Sequence, residues 1–303
     1  MFPALLTTVL FSFSVLFASR SSRLVGSMQA NVSRLVLAMV LLGIWAHTWG
    51  GGFAGAGLPW FLLSGFIGFG LGDIALFGAL PRIGPRLAIL LTQCLAAPIA
   101  GVSEYFLLGT RPTAMEMGCG AIILCGVALA LAPDAPHPND PKIDSKAFRI
   151  GVLCGIGSAM GQALGAVFSR RGNAAALLAG TPVDGGTAAF QRITAGVLTT
   201  LVFWGVLKWM GRSKEQMHSS GTWRTAAPLV VGNALSGPTL GVACFQWALL
   251  TTPSAKVLPI VATSPLVTMV LAWVMEGKRP SRRAILGGVI AVSGAASLAW
   301  IQT

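Results

Sequence analysis

Apolar stretches of membrane-spanning length follow one another along nearly the whole chain, separated by short polar gaps. A helix needs about 20 mostly apolar residues to cross the hydrocarbon core of a bilayer. On that criterion the sequence predicts ten spans, near residues 2–18, 33–50, 58–80, 87–107, 114–132, 149–169, 187–209, 226–249, 257–275 and 283–301. We therefore predict an all-α membrane protein with ten transmembrane helices.

The charged residues are too few for a soluble fold. They make up 10% of the chain, against about 25% in soluble domains, so lipid must surround most of the surface. The net charge of +12 lies in the gaps between spans, where Lys and Arg determine topology and contact headgroups. This placement predicts the lipid bilayer, and no nucleic acid, as a partner.

The positions of the basic residues predict the topology. Sixteen of the 21 Lys and Arg residues lie in the odd-numbered gaps or the adjoining helix ends, and five lie in the even-numbered gaps. Because cytoplasmic loops carry the excess of Lys and Arg, both termini are predicted to lie outside the cytoplasm. We expect the chain to lie in a bacterial-type plasma (inner) membrane. No charge precedes the first span, so we expect a retained helix rather than a cleaved signal peptide.

The two halves of the chain resemble each other. A linker rich in proline and charge, residues 133–148, separates residues 1–132 from residues 149–303, which hold five spans each. The sequence GTRPT at 109–113 matches GKRPS at 277–281 with an offset of 168 residues. The glycines of spans three and eight match with an offset of 169, and the pairs Ser19-Arg20 and Ser169-Arg170 are predicted to close spans one and six. Because each half has an odd number of helices, the second is predicted to insert upside down, as an inverted repeat.

Enzyme motifs are absent from the sequence. It contains no GxSxG, HExxH or GxxxxGK[ST] pattern, so we predict no catalytic residues, no metal, no cofactor and no enzymatic activity. The candidate residues are therefore polar groups at membrane depth, where a charge usually faces an interior or a wet cavity.

Two acidic residues within the spans are candidates. Asp73 of span three could bind protons or cationic groups as a carboxylate, or could form a structural hydrogen bond or a pair with Arg82 or Arg86. Glu104 lies near the outer end of span four, beside Tyr105. Its interface position favours a solvated carboxylate, with substrate contact as the alternative.

Spans four and nine both contain residues that interrupt helices. A proline frees a backbone carbonyl, which a solute can then contact, and irregular helices at corresponding positions point to a binding site. Kinks that serve only packing are the alternative. The residues are Gln93 and Pro98 in span four and Pro259, Thr263, Ser264 and Pro265 in span nine.

Uncharged polar residues of other spans complete the candidates for a substrate pathway. Each could contact a solute or hold helices together, because polar groups in lipid need partners. They are Trp45 and His47 in span two, Ser158 and Gln162 in span six, and Asn233, Ser236, Gln246 and Trp247 in span eight.

Several features together resemble the EamA-type branch of the drug/metabolite transporter superfamily. They are Arg34 and Arg192 at the start of spans two and seven, the EGKRPS run at 276–281, the following Gly287, Gly288 and Gly294, and the layout of five plus five spans. The resemblance implies a permease with a central cavity that exports small organic metabolites or drugs, and the inverted repeat predicts alternating access. An intramembrane enzyme or a lipid-handling structural protein is the alternative.

Overall fold

The computed structural model describes residues 1–131, 145–210, 220–276 and 281–301, so most of the predicted linker lies outside the described residues. The described residues form helices and contain no strand. The twelve α-helices are α1 (Phe2–Val25), α2 (Ser27–Thr48), α3 (Leu58–Gly65), α4 (Asp73–Leu108), α5 (Ala114–Leu131), α6 (Ser145–Leu178), α7 (Gly185–Trp209), α8 (Ser220–Ala234), α9 (Leu240–Thr251), α10 (Ser254–Val261), α11 (Ser264–Glu276) and α12 (Arg282–Trp300).

The predicted all-α membrane class is confirmed. Nine stretches of the described residues are long and apolar enough to cross a bilayer, and they correspond to spans one to nine. The tenth predicted span corresponds to α12, a helix of 19 residues that begins with two arginines. The chain is therefore a multi-pass integral membrane protein with nine to ten candidate crossings.

Two π-helical segments divide predicted spans three and eight. Phe66–Gly72 joins α3 to α4, and Leu235–Thr239 joins α8 to α9. The second segment contains Pro238, whose missing N–H breaks the regular α-helical ladder. The two segments begin 169 residues apart, the same offset that relates the glycines of spans three and eight.

Helix α4 bends where the sequence predicts a gap between spans three and four. Its 36 residues are helical throughout, yet positions Ala75 and Leu91 both pack against α6, next to Gly157 and Gly155 respectively. Sixteen residues of straight helix span about 24 Å, so α4 must bend between these positions. The stretch between them contains Pro81 and Pro85, and proline is the usual cause of a kink. The predicted gap is therefore a helical bend rather than a loop.

The predicted interruption of span four and two predicted helix ends are wrong. Helix α4 continues through Pro98, because the fixed φ of proline suits a helix even though one hydrogen bond is lost. Helix α6 continues past Ser169-Arg170 into an alanine- and leucine-rich stretch that favours helix. Helix α1 passes Ser19-Arg20 and ends before Gly26, whose positive φ of 84° only glycine adopts readily.

The chain forms two compact units, and each takes helices from both sequence halves. The first unit comprises Met1–Gly70 and Phe168–Thr252. Its core joins α2 to α7 through apolar residues on one face of each helix, namely Leu35, Ala38, Leu42 and Ala46 against Ala189, Phe190, Ile193 and Val197. Helix α3 approaches α7 even more closely, since a Cβ on Gly65 would overlap the carbonyl of Arg192.

The second unit comprises Leu71–Val167 and Pro253–Thr303. In it α5 packs along α12 through small residues, as close helix pairs in membranes do. Position 126 of α5 lies against Ala291, position 287 of α12 against Ala130, and position 294 against Ile123. Because the numbers rise along α5 while they fall along α12, the two helices are antiparallel.

Candidate solute-binding site

Two glutamine side chains meet in the second unit. The Nε2 atom of Gln162 in α6 donates a hydrogen bond of 3.0 Å to Oε1 of Gln93 in α4. An amide has two donor hydrogens and one acceptor oxygen, so Nε2 of Gln93 and Oε1 of Gln162 keep capacity for another partner. Both side chains are half-buried, and the neighbouring Thr92 has a buried hydroxyl without a partner among the described residues.

The packing of α6 on α4 positions this amide pair. Val152 and Cys154 of α6 lie against the cluster formed by Ala79, Ile83 and Ala88 of α4. Gly155 permits a close approach, because a Cβ there would stand 3.0 Å from the side chain of Leu91. The structure thus brings together two predicted candidates that are 69 residues apart in sequence.

Asp73 begins α4, directly after the π-helical segment, and is half-buried. Arg82, one of its two predicted partners, instead donates a hydrogen bond of 2.6 Å to the carbonyl of Gly78. The side chain of Arg86, the other predicted partner, lies outside the described part of the structure. The role of Asp73 in proton or cation binding stays a prediction.

The predicted interruption of span nine is confirmed, since α10 ends at Val261 and α11 begins at Ser264. Thr263 and Ser264 lie at this break and are both buried. The Thr263 hydroxyl donates to the carbonyl of Ile260, and that of Ser264 donates to the carbonyl of Val261. The two hydroxyls therefore bond to carbonyls in the last turn of α10.

In the first unit the π-helical segment Leu235–Thr239 lies among polar residues. Oδ1 of Asn233 accepts a hydrogen bond of 2.7 Å from the hydroxyl of Ser14 in α1, and Ser236 donates to the carbonyl of Gly232. Asn233 thus holds α8 to α1, which is the packing role that the sequence left open.

Gln246 in α9 is fully buried, and neither amide atom has a hydrogen-bond partner within the described ranges. Thr239 lies seven residues earlier, on the same face of the helix, and its buried hydroxyl also has no partner there. A buried amide without a partner is costly, and such groups call for a water or a solute. Gln246 is accordingly the strongest polar candidate in this unit.

Trp45 makes a side-chain hydrogen bond to Asp184 that was not predicted from the sequence. Its Nε1 atom donates a hydrogen bond of 2.9 Å to Oδ1 of Asp184, which also caps α7 by accepting from the backbone of Gly186 and Thr187. Burial raises the pKa of the Asp184 carboxyl, but hydrogen bonds from Thr187, Trp45 and Gly186 outweigh it and hold the pKa below its usual value. The sequence DGGT, with an Asp before a helix, carried the signal of an N-cap.

The remaining secondary candidates of spans two, six and eight have packing neighbours or are simply buried. The His47 ring makes edge contacts with Phe53 and Phe190. Trp247 packs edge-on against Phe2, and Ser158 is buried in α6.

The prediction of a solvated Glu104 is wrong. This side chain is 1% exposed, and its Oε2 atom accepts hydrogen bonds from the hydroxyl of Ser254 and the backbone N–H of Ala255. Both donors lie at the start of α10, where unpaired N–H groups and the helix dipole favour a carboxylate. Glu104 therefore joins α4 to α10, because the fold brings that helix start to it.

The fold and its buried polar groups define a class, the multi-pass α-helical membrane proteins. The sequence profile of the EamA-like transporter family matches residues 149–300, half of the chain, and the chain belongs to this family. The predicted resemblance is confirmed, and the family together with the apolar helices supports a membrane transporter. The family is one of transporters rather than enzymes.

A search of the curated proteins finds no match. One solved structure, titled "Crystal structure of protein", aligns with a TM-score of 0.74 at 16% identity and covers 99% of this chain and 98% of its own. At that identity the likeness shows a shared fold and nothing more.

Proposed function

We propose that the protein exports a small organic metabolite or drug by alternating access between two inverted five-helix repeats. The repeats are residues 1–132 and 149–303, joined by the linker 133–148. The observation that carries this proposal is the pair of π-helical segments that begin at Phe66 and Leu235. Irregular helices at corresponding positions of two halves are typical of transporter binding regions, and π-helical turns occur frequently at functional sites.

The packing of α5 on α12 supports the inverted relationship. Position 126 lies against Ala291, and position 294 lies against Ile123. Position 126 corresponds to position 294 at the offset of 168 residues, and Ala291 corresponds to Ile123. The first contact therefore corresponds to the second with the two helices exchanged, as expected of repeats related by a twofold axis. The N-caps of α5 and α12 follow the same offset. The Thr113 hydroxyl accepts a hydrogen bond from the N–H of Glu116, and 168 residues later the Ser281 hydroxyl accepts one from the N–H of Ala284.

Such equivalence supports alternating access on energetic grounds. If two halves have near-equivalent packings, exchanging those packings yields two states of similar free energy, open to opposite sides. A solute shifts the populations only through unequal affinity for the two states. The family resemblance supports export as the direction of the proposed transport.

The amide pair of Gln93 and Gln162 supports contact with a polar solute. Its spare donor and acceptor can bind an uncharged hydroxyl, amide or carbonyl group at membrane depth. Such groups discriminate strongly, because a solute without the matching atom leaves the buried amide unpaired.

Thiol accessibility tests the proposal. Gln93 and Ser264 are changed singly to Cys after Cys94 and Cys125 have been replaced by Ala, and a membrane-impermeant thiol reagent is applied from each side. Both positions should react through water, and solute should protect them or change the side of entry. Ile122→Cys is the control, because this residue is exposed along α5 and should stay unreactive in lipid. Reaction at neither position from either side, with or without solute, would contradict the proposal.

A further inference from the structure

A cavity of about 130 Å³ lies in the second unit, where α4 ends and where α5 and α10 begin. Three membrane-spanning stretches therefore have an end at this cavity, namely Leu87–Leu108, Ala114–Leu131 and Ser254–Leu271. The ends of crossing helices lie at the level of the lipid headgroups. One water needs about 10–15 Å³ of such space, so the cavity is roughly tenfold larger and has room for a phosphate group with the carbons attached to it.

The two acidic residues of the lining, Glu104 and Glu116, have partners of their own. Oε1 of Glu116 lies 2.5 Å from Nζ of Lys256, and Glu116 also forms a capping box with Thr113 at the start of α5. Oε2 of Glu104 accepts hydrogen bonds from two groups at the start of α10, the hydroxyl of Ser254 being one of them. Both carboxylates thus hold helix starts in place.

Arg111 is the remaining charged residue of the lining, and it is exposed. Its guanidinium stands 5.5 Å from the centre of the Tyr105 ring, a cation–π distance that fixes its position. In the described part of the chain no carboxylate pairs with it. The hydroxyl of Thr113, which also lines the cavity, accepts from the Glu116 N–H and can donate its own hydrogen to a ligand. A guanidinium fork and a hydroxyl suit the oxygens of a phosphate.

The surface beside Arg111 is aromatic and apolar. The Tyr105 ring meets the Phe106 ring edge-on, with 5.3 Å between their centres, and Phe106 is 77% exposed. In the first turn of α5, Met115 and Met117 are also exposed. Tyrosine is enriched at the membrane interface, and exposed apolar side chains of a membrane-spanning helix contact acyl chains. A phosphate bound at Arg111 would therefore have a lipid-facing surface directly beside it.

We infer that this cavity binds the phosphate of an anionic phospholipid headgroup at Arg111, with the acyl chains along Phe106 and the first turn of α5. Basic pockets between membrane helices bind phosphate headgroups in this way. A free phosphate ion shares the same charge chemistry, but it would leave the adjacent apolar surface unused. The inference goes beyond the proposed transport and does not rest on it, because a lipid can be bound whether or not a solute is carried.

Native mass spectrometry of the purified full chain in detergent tests the inference. The protein is mixed with equal amounts of phosphatidylglycerol and phosphatidylcholine that carry the same acyl chains, and the amounts of the two complexes with one lipid are compared. Phosphatidylglycerol should be retained about fivefold more, as expected for one basic residue at a headgroup without a compensating choline. Equal retention of the two lipids would overturn the inference.

A competition separates the two sources of phosphate. The complex with phosphatidylglycerol is incubated with ammonium phosphate or with ammonium acetate at the same ionic strength. The lipid should stay bound to the same extent in both salts, because the acyl chains add contacts that a free ion lacks. If phosphate displaces the lipid and acetate does not, the site takes the free ion and the lipid assignment is wrong.

Variants locate the binding. Arg111→Gln should lower the preference for phosphatidylglycerol about fivefold, whereas Arg171→Gln should keep it. Arg171 is the matched control, because it is also exposed and 5.5 Å from an aromatic ring, that of Trp60, but lines no part of the cavity. Should Arg111→Gln fail to fold, as judged by size-exclusion elution, the lipid comparison on the unchanged protein decides. An Arg111→Gln protein that prefers phosphatidylglycerol as strongly as the Arg171→Gln protein does would overturn the inference.

Discussion

Gly126 of α5 lies so close to α12 that a Cβ on it would stand 2.5 Å from the backbone nitrogen of Ala291. Real Cβ atoms essentially never approach backbone this closely, so no residue larger than glycine fits without a shift of one helix. Gly294 has the reciprocal relation to Ile123, with a Cβ 3.1 Å from that backbone nitrogen. The two helices therefore pack through backbone contact, which in lipid gives van der Waals attraction without a hydrophobic driving force.

Gly126→Ala should lower the stability of the protein. Overpacking against backbone costs about 1–3 kcal/mol, which exceeds the gain of about 1 kcal/mol that alanine brings to a helix. The measurement is the midpoint of thermal unfolding in detergent. Gly118→Ala is the control on the same helix, since nothing lies within 4 Å of a Cβ there, and its midpoint should stay or rise. Equal midpoints for the two variants would contradict the close packing.

The Asp184 carboxyl should make the stability of the folded protein depend on pH. Its pKa in the folded protein lies below the ordinary value of 3.8, so the ionised form stabilises the fold. That contribution is complete above the unfolded pKa and is lost as the pH falls through the folded pKa. The stability difference between the protein and Asp184→Asn should therefore be constant near neutral pH and shrink below about pH 4, measured by thermal unfolding.

Asp184→Asn serves here because asparagine keeps the N-cap while removing the charge. Asp184→Ala removes both and should cost about 1 kcal/mol at neutral pH as well. A difference between the protein and Asp184→Asn that grows on acidification would have the wrong sign and would contradict the assignment.

Gln162→Leu should impair transport if the amide pair contacts the solute. The change keeps the volume but removes the donor to Gln93, so a polar solute loses one hydrogen bond and meets an unpaired amide. Transport in proteoliposomes with a metabolite panel should fall by about tenfold. Ser293→Ala is the control, because that exposed hydroxyl bonds only the carbonyl of Val289 on its own helix.

The double variant adds a sharper readout. Gln93→Leu with Gln162→Leu should be no worse than either single change, because interacting residues are not additive. Independent, additive losses at the two positions would show that the amides do not act together.

The charge distribution predicts the sidedness of the chain. A reporter fused after Thr303 should report a location outside the cytoplasm, and one fused after Trp209, at the end of α7, should report a cytoplasmic location. The reason is the excess of Lys and Arg in the odd-numbered gaps. The opposite pair of signals would reverse the orientation but would leave the helices unchanged.

Glu104 and Trp45 illustrate what could not be predicted from sequence. Their partners Ser254 and Asp184 lie 150 and 139 residues away, and no local pattern indicates such a distance. The capping box at Thr113 and the N-cap at Asp184 are different, because both are contained within four residues and could have been predicted. Gln93 and Gln162 were each predicted as candidates for the substrate pathway. Nothing in the sequence predicted the hydrogen bond between them.

The sequence by itself determined the membrane class, the position of most helices and the family, because these depend on local composition, on the length of apolar runs and on short motifs. The tertiary structure alone decided which polar groups meet. Helix α4 bends and α6 packs against both of its arms, so Gln93 reaches Gln162, and the start of α10 comes to Glu104 and buries it. Burial and pairing of a side chain depend on helices distant in sequence, and in lipid a polar group must find its partner among them.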